Sequence, residues 1–293
     1  MLTPQIIDTV VRGALAEDSP WGDITSELLI PEAAVARAKL IARESGTFSG
    51  GAVFAATMAA VDPAIETTLH VEDGDTFAEG DALASVVGPA RGVLQAERVA
   101  LNLVQRLSGI ATLTAAFVAE TTGTGARIVD TRKTTPGLRA LERHAVVCGG
   151  GRNHRFSLSD AVMAKDNHLA LLTAGGLDLT QALGRARARL SHTTHFEVEV
   201  DHIDQIEPVL AGGVDTIMLD NFTLEQLRQG VALIAGRCIV EASGNVTLET
   251  VGAIARTGVD VISAGALTHS VRALDLGLDI DVCGEPEPGG EPE

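Results

Sequence analysis

From residue 127 onward the chain repeats one pattern: a short apolar run of strand length, then a stretch with helical periodicity, at intervals of roughly 25 residues. The strand-like runs are Arg127–Asp130, Ala161–Ala164, Phe196–Val200, Thr216–Leu219, Cys238–Glu241 and Val259–Ser263. Helical patterns such as Leu179–Leu190, Leu224–Ala235 and Leu248–Thr257 lie between them. Neighbouring strands joined through a helix pair in parallel, because the helix carries the chain back to the end where the previous strand began. A parallel α/β sheet is therefore predicted. A closed barrel ordinarily takes about eight such units. With six, an incomplete α/β (TIM-like) barrel and a doubly wound open sheet both fit.

The preceding sequence reads differently. Thr3 is an N-cap ahead of a first-turn Pro4, and Ile6, Ile7, Val10, Val11 and Leu15 follow helical spacing, so the chain opens on an amphipathic helix and not a secretory leader. Residues 34–95 hold short strand-like segments, Ala38–Ala42 and Ile65–Val71, punctuated by acidic turns at Glu72–Asp75 and Glu79–Asp81. Leu94–Val118 reads as a long helix with a break near Ser108-Gly109, and no apolar run approaches the roughly 20 residues of a membrane span. The acidic stretch after Cys283, rich in Gly, Pro and Glu, is predicted to be disordered. Cys148, Cys238 and Cys283 are odd in number and far apart, which fits a reduced, cytoplasmic setting. Cys148 reads as a small apolar filler, and Glu142 and Arg143 as a solvated helix face.

The residues at the end of each strand of the repeat carry the chemistry. The successive ends are Asp130-Thr131-Arg132-Lys133-Thr134, Lys165-Asp166-Asn167-His168, Glu199 with Asp201, Asp220-Asn221, Glu241-Ala242-Ser243-Gly244-Asn245 and Ser263-Ala264-Gly265. In parallel α/β architectures that rim is where ligands bind. The net charge of −17 repels nucleic acid and anionic membranes, and would repel an anionic substrate unless positive charge were gathered in one place. It is gathered: of the three lysines, Lys39, Lys133 and Lys165, two lie in these motifs, beside Arg132, His154 and Arg155. Such cations suit carboxylates or phosphates. Glu199 and Asp220 suit sugar hydroxyls, a magnesium ion or a developing positive charge. Ser243-Gly244-Asn245 and Gly265 offer backbone N–H groups at helix starts for a phosphate. Gly149-Gly150-Gly151, just before Arg152-Asn153-His154-Arg155, points to a close backbone approach to a ligand. No dinucleotide fingerprint is present, and His192, His195 and His202 are too loosely placed to predict a metal site.

Asp130-Thr131-Arg132-Lys133-Thr134-Thr135-Pro136-Gly137-Leu138-Arg139 closely resembles the signature of the quinolinate phosphoribosyltransferases. So do Gly149 to Arg155, Lys165-Asp166-Asn167-His168, Glu197 to Asp201, Leu219-Asp220-Asn221 and Gly265 to Ser270. His144, where an aromatic residue is expected, and Ala164, where a larger apolar one is expected, depart from the pattern. The resemblance implies an N-terminal α/β sandwich over residues 1–108, rejoined by 271–282, an incomplete barrel over 109–270, and the tail 283–293. It implies a homodimer with a shared active site, into which Arg98 crosses from the other subunit. It also implies that Arg132, His154, Arg155, Lys165 and Arg98 hold quinolinate, with Lys133 shared between it and phosphoribosyl pyrophosphate. The donor's 5′-phosphate would sit on Ser243, Gly244 and Gly265, with Asn245 and Ser263 also expected to bind substrate, its ribose would face Glu199 and Asp220, and Mg2+ would come mainly through its pyrophosphate. Lys133, Lys165, Glu199 and Asp220 are the expected catalytic residues. The alternatives are a sister pyrophosphorylase with another acceptor, such as the molybdenum-transport-associated homologues, and a Schiff-base aldolase using Lys133 or Lys165.

Overall fold

A computed structural model describes residues 2–281; the tail read as disordered, with Cys283, lies outside the described residues. The chain divides into two compact units, one of residues 1–112, 140–148 and the segment from 272, the other of 113–139 and 149–271. Residues 140–148, which the resemblance places with the barrel, thus group with the first unit.

The first unit contains β1 (Val35–Ala42), β2 (Gly46–Thr47), β3 (Glu66–Leu69), β4 (Thr76–Phe77) and β5 (Ala82–Pro89). The chain's last described strand, Leu276–Asp281, returns to this unit and pairs antiparallel with β1, giving the sheet order Leu276–Asp281, β1, β5, β3. Along β1 the small and apolar residues Ala36, Ala38, Leu40 and Ala42 alternate inward, as a half-buried strand requires. They meet Phe48, Phe54, Met58, Leu83 and Val104 in one apolar core.

Two expectations change here. The long helix runs unbroken from Ala90 to Glu120. Gly109 does not end it: a Cβ at that position would lie 2.2 Å from the Arg272 carbonyl oxygen, so the glycine admits a passing backbone. This helix is also long and apolar enough, by length and composition, to cross a membrane. Val93, Ala96, Ala100, Leu101 and Val104 instead spend its apolar face on the unit's core. Glu142, read as solvated, is fully buried and meets Arg106, whose Nε and Nη2 lie 2.8 and 2.6 Å from its Oε1. The helix Arg139–Cys148 turns Leu141, Glu142, Ala145 and Val146 to one buried face, and Glu142 shares their phase.

The histidine at position 144 is tied to an aspartate. Asp73 Oδ1 accepts the N–H groups of Gly50 and Gly51 at 2.9 and 3.0 Å, which turns its Oδ2 to His144 Nε2 at 2.6 Å. Cys148 is more than filler, since Ser49 donates to its sulfur at 3.3 Å and His144 Nε2 lies 3.5 Å away. The Asp73 bond, aided by Cys148, lifts the His144 pKa from 6.5 to about 10. A folded value above the unfolded one stabilises fully below pH 6.5 and loses that contribution as pH rises toward 10. Melting temperature should therefore fall with pH across that window, and His144→Gln should flatten the fall. Identical pH curves for both proteins would rule out the charged pair.

The second unit contains β6 (Arg127–Val129), β7 (Val162–Ala164), β8 (Phe196–Val200), β9 (Thr216–Asp220), β10 (Ile239–Ser243) and β11 (Val261–Ser263). All pair in parallel, in the order β7, β8, β9, β10, β11, β6. From β7 to β11 the order never reverses. Right-handed crossovers running always one way leave every helix on the same face, which a doubly wound sheet does not do. The first strand, β6, lies beside the last, β11, so the sheet curls round with one seam, between β6 and β7. Arg152 half fills that seam by bridging Val129 in parallel. The fold is an incomplete α/β barrel joined in sequence to a separate antiparallel-sheet domain.

Candidate active site

Because the barrel strands are parallel, their C-terminal ends deliver side chains to one rim. There they enclose a cavity of about 420 Å³ lined by Thr131, Arg132 and Lys133 after β6, His154 and Arg155 after the seam, and Met163 and Lys165 from β7. Glu199, Met218, Asp220, Glu241, Ser243 and Ser263 complete it from β8 to β11. Register explains the acids: Glu199, Met218 and Glu241 are Cα partners across β8, β9 and β10, and Asp220 pairs with Ser243 one layer higher.

Opposite charges are already matched in part. Lys165 forms an ion pair with Glu199. Arg155 is anchored by the Ala161 carbonyl at 3.0 Å and the Met163 sulfur at 3.6 Å. Burial, then the neighbouring Arg132, lower its pKa, which is what crowded cations do in the absence of an anion between them. Arg132 Nε and Ser263 Oγ are buried without a protein partner. An unmet buried donor costs on the order of 1–3 kcal/mol, so both are poised to bond a ligand.

The glycines and asparagines of the rim are conformationally fixed. Gly244 has φ +94°, and a Cβ there would stand 2.2 Å from Asn221 Oδ1. Asn221 and Asn245 also take left-handed φ values, 56° and 48°. Asn245 Nδ2 donates to Asn221 Oδ1 at 3.0 Å, and Asn221 Nδ2 to Asp220 Oδ2 at 2.6 Å. Gly265 lies against the Lys133 side chain, and Thr268 holds the Lys133 carbonyl at 2.7 Å.

His154 is built in more tightly than its neighbours. Its backbone N–H donates to the fully buried Asp130 at 2.7 Å. Its Nδ1 accepts the Arg155 N–H at 2.7 Å. Its Nε2 faces Glu197 Oε2 at 3.2 Å and Glu241 Oε2 at 3.4 Å. Both ring nitrogens therefore have protein partners.

The structure gathers Arg132, Lys133, His154, Arg155, Lys165, Glu199, Asp220, Ser243 and Ser263 round the one cavity, with Gly244, Asn245 and Gly265 bordering its residues. Arg98 belongs to the first unit and is exposed on the long helix. Sequence reasoning passed over Met163 and Met218, and gave no individual role to Thr131, Glu197 or Glu241. The signal for Glu197 was its two-residue spacing from Glu199, which sends both inward along a strand.

A parallel barrel with cations and acids convergent on its C-terminal rim defines an α/β-barrel enzyme site for an anionic ligand. Comparison with known proteins narrows this. Residues 23–108 match the quinolinate phosphoribosyl transferase N-terminal domain and residues 110–279 the C-terminal domain of the same family. A probable nicotinate-nucleotide pyrophosphorylase [carboxylating] of Bacillus subtilis is 41% identical over 269 residues, covering 92% of this chain and 91% of that protein. The Mycobacterium leprae nicotinate-nucleotide pyrophosphorylase [carboxylating] is 42% identical over 276 residues, covering 92% and 95%. The structure of the Francisella tularensis nicotinate-nucleotide pyrophosphorylase superposes with a TM-score of 0.89 at 35% identity, over 96% of this chain and 98% of that one. The chain belongs to the quinolinate phosphoribosyl transferase family.

Proposed function

We propose that the protein is a decarboxylating quinolinate phosphoribosyltransferase, forming nicotinate mononucleotide, pyrophosphate and carbon dioxide from quinolinate and phosphoribosyl pyrophosphate. The observation that carries this reading is one cavity lined both by Arg132, Lys133, Arg155 and Lys165 and by Glu199 and Asp220, with buried donors left over for a ligand. Quinolinate's two adjacent carboxylates would take the cationic side. The ribose would take the acids, and the 5′-phosphate the Ser243, Gly244, Asn245, Ser263 and Gly265 edge.

The ring nitrogen attacks the anomeric carbon as pyrophosphate leaves. Positive charge grows on the ribose, and a fixed carboxylate beside it lowers the barrier because it needs no reorganisation. Holding two substrates in line supplies the rest. Asp220 is held in place by Asn221. Glu199 is released to act when an incoming carboxylate draws Lys165 away. Magnesium would neutralise the departing pyrophosphate. The ion would be held mainly by the donor's own pyrophosphate oxygens.

We also propose a homodimer in which Arg98 of a second copy completes the cationic side, in a cytoplasmic setting where the free thiols Cys148 and Cys238 stay reduced. Mass detection of nicotinate mononucleotide from quinolinate, phosphoribosyl pyrophosphate and magnesium tests the reaction. Nicotinate lacks the C2 carboxylate and would leave buried cations unpaired, at a cost of about 2–5 kcal/mol. It should be a far poorer acceptor, and equal turnover of the two acids would reject a dicarboxylate pocket. Borohydride with a carbonyl compound should trap nothing on Lys133 or Lys165.

A further inference from the structure

Behind His154, at the floor of the cationic pocket, lie two glutamates to which the substrate binding proposed above gives no role. Glu197 and Glu241 are each only 3% exposed, and in each one carboxylate oxygen, Oε1, has no hydrogen-bond partner. Their other oxygens converge on the single nitrogen His154 Nε2. The set forms a partition: His154, Arg155 and Glu241 line the upper cavity, and all three also line a second cavity of about 400 Å³ on the side of the strand starts, which Glu197 reaches as well. The charged and titratable groups facing the set are Arg155 from the same loop, Arg127 of β6, Arg152 in the seam, Asp160, and His195, which is bonded to Thr216 at 2.9 Å.

Two buried carboxylates sharing one N–H donor do not both ionise readily. Burial, with the charge of Glu241, raises the Glu197 pKa against the opposing pull of His154. Burial lowers the pKa of His154, but its bonds to the two glutamates outweigh this and lift it to about 10. The extra proton could thus be written on the histidine or on a glutamate. The Arg155 N–H on Nδ1 decides for the glutamate, since an imidazolium would present a hydrogen to that donor.

We propose that His154, Glu197 and Glu241 form a buried proton store that supplies the hydrogen replacing the lost carboxyl group at C2 of the pyridine ring. The inference rests on the function proposed above. The bond from C2 to the carboxylate breaks as the acid hydrogen of Glu241, which lines the upper cavity, bonds to C2; the electron pair left beside the positively charged ring nitrogen forms the new C–H bond, and carbon dioxide departs. The Nε2–H of His154 stays on the two carboxylates and holds the newly ionised Glu241. Solvent returns a proton to that glutamate through the lower cavity. Glu241 meets the reacting atom from the upper cavity, whereas His154 and Glu197 act through it as positioning and reserve groups.

The test separates the two halves of the reaction in a single turnover. In Glu197→Gln and in Glu241→Gln, pyrophosphate release should stay near the wild-type rate. Carbon dioxide release should fall about a hundredfold, within the range a positioned proton donor supplies. A mononucleotide still carrying both carboxyl groups should accumulate, and quinolinate binding should persist as a check on folding. Equal losses of pyrophosphate and carbon dioxide release would overturn the store while leaving the transferase reading intact. No pyrophosphate release from the wild-type enzyme would overturn the transferase reading itself. One equivalent of manganese or zinc, bound by the wild type and lost in both variants, would show that a cation fills the place assigned to the proton.

Discussion

Co-expressing Arg98→Ala chains with Lys165→Ala chains should restore activity that neither variant shows alone. On the shared site proposed above, each single change removes a cation that would hold a carboxylate, so each variant alone should be nearly inactive. In a mixed dimer, the barrel of the Arg98→Ala chain keeps Lys165 and borrows Arg98 from its neighbour. The opposite site lacks both. Random pairing makes about half the dimers mixed, each with one intact site of two, so the expected recovery is about a quarter of wild-type activity. The exposed position of Arg98 on a long, rigid helix suits a residue that reaches outward to another chain. Purified mixed dimers with no activity would put Arg98 and Lys165 in the same site of one chain and end the shared-site proposal.

Glu199→Gln should slow turnover about a hundredfold, which corresponds to roughly 3 kcal/mol of lost transition-state stabilisation. Asp220→Asn should do the same. Neither should weaken quinolinate. The reason lies in the Lys165–Glu199 ion pair: quinolinate must compete with Glu199 for that ammonium group, so removing the acid removes a competitor. Quinolinate affinity, measured by calorimetry, should hold or tighten in Glu199→Gln while product formation collapses. An interaction made only as charge develops lowers turnover without lowering ground-state binding. Loss of quinolinate binding with unchanged turnover at saturation would mean that Glu199 merely orders the basic cluster.

Much of the barrel was legible because its signal is local. Each strand shows as an apolar run with polar residues at its end, and the rim follows from parallel pairing alone. The choice between barrel and open sheet was not legible, since it depends on β6 pairing with β11, which no short-range pattern encodes. Gly109 misled for a similar reason: a glycine in a helix looks like a break until the backbone of Arg272, far along the chain, is seen passing over it. Glu142 and Glu197 were misjudged or unassigned because charge suggests solvent, whereas phase along the helix and strand puts both inside. Local composition could not reveal that Arg106 and His154 stand ready to receive them.

The strand order has a consequence for how the enzyme becomes active as it folds. Val129 finds its Cα partner in Ser263, at the opposite end of the barrel's sequence, and contacts so distant along a chain are slow to form. Arg132 and Lys133 hang from the first of these strands and Ser263 ends the last. The other strands can assemble progressively as neighbours, but Arg132 and Lys133 meet Ser263 only when the two ends of the barrel join. Competence for catalysis is thus tied to the least local strand pairing of the barrel, and a partly folded barrel, however rich in secondary structure, holds no half-working site.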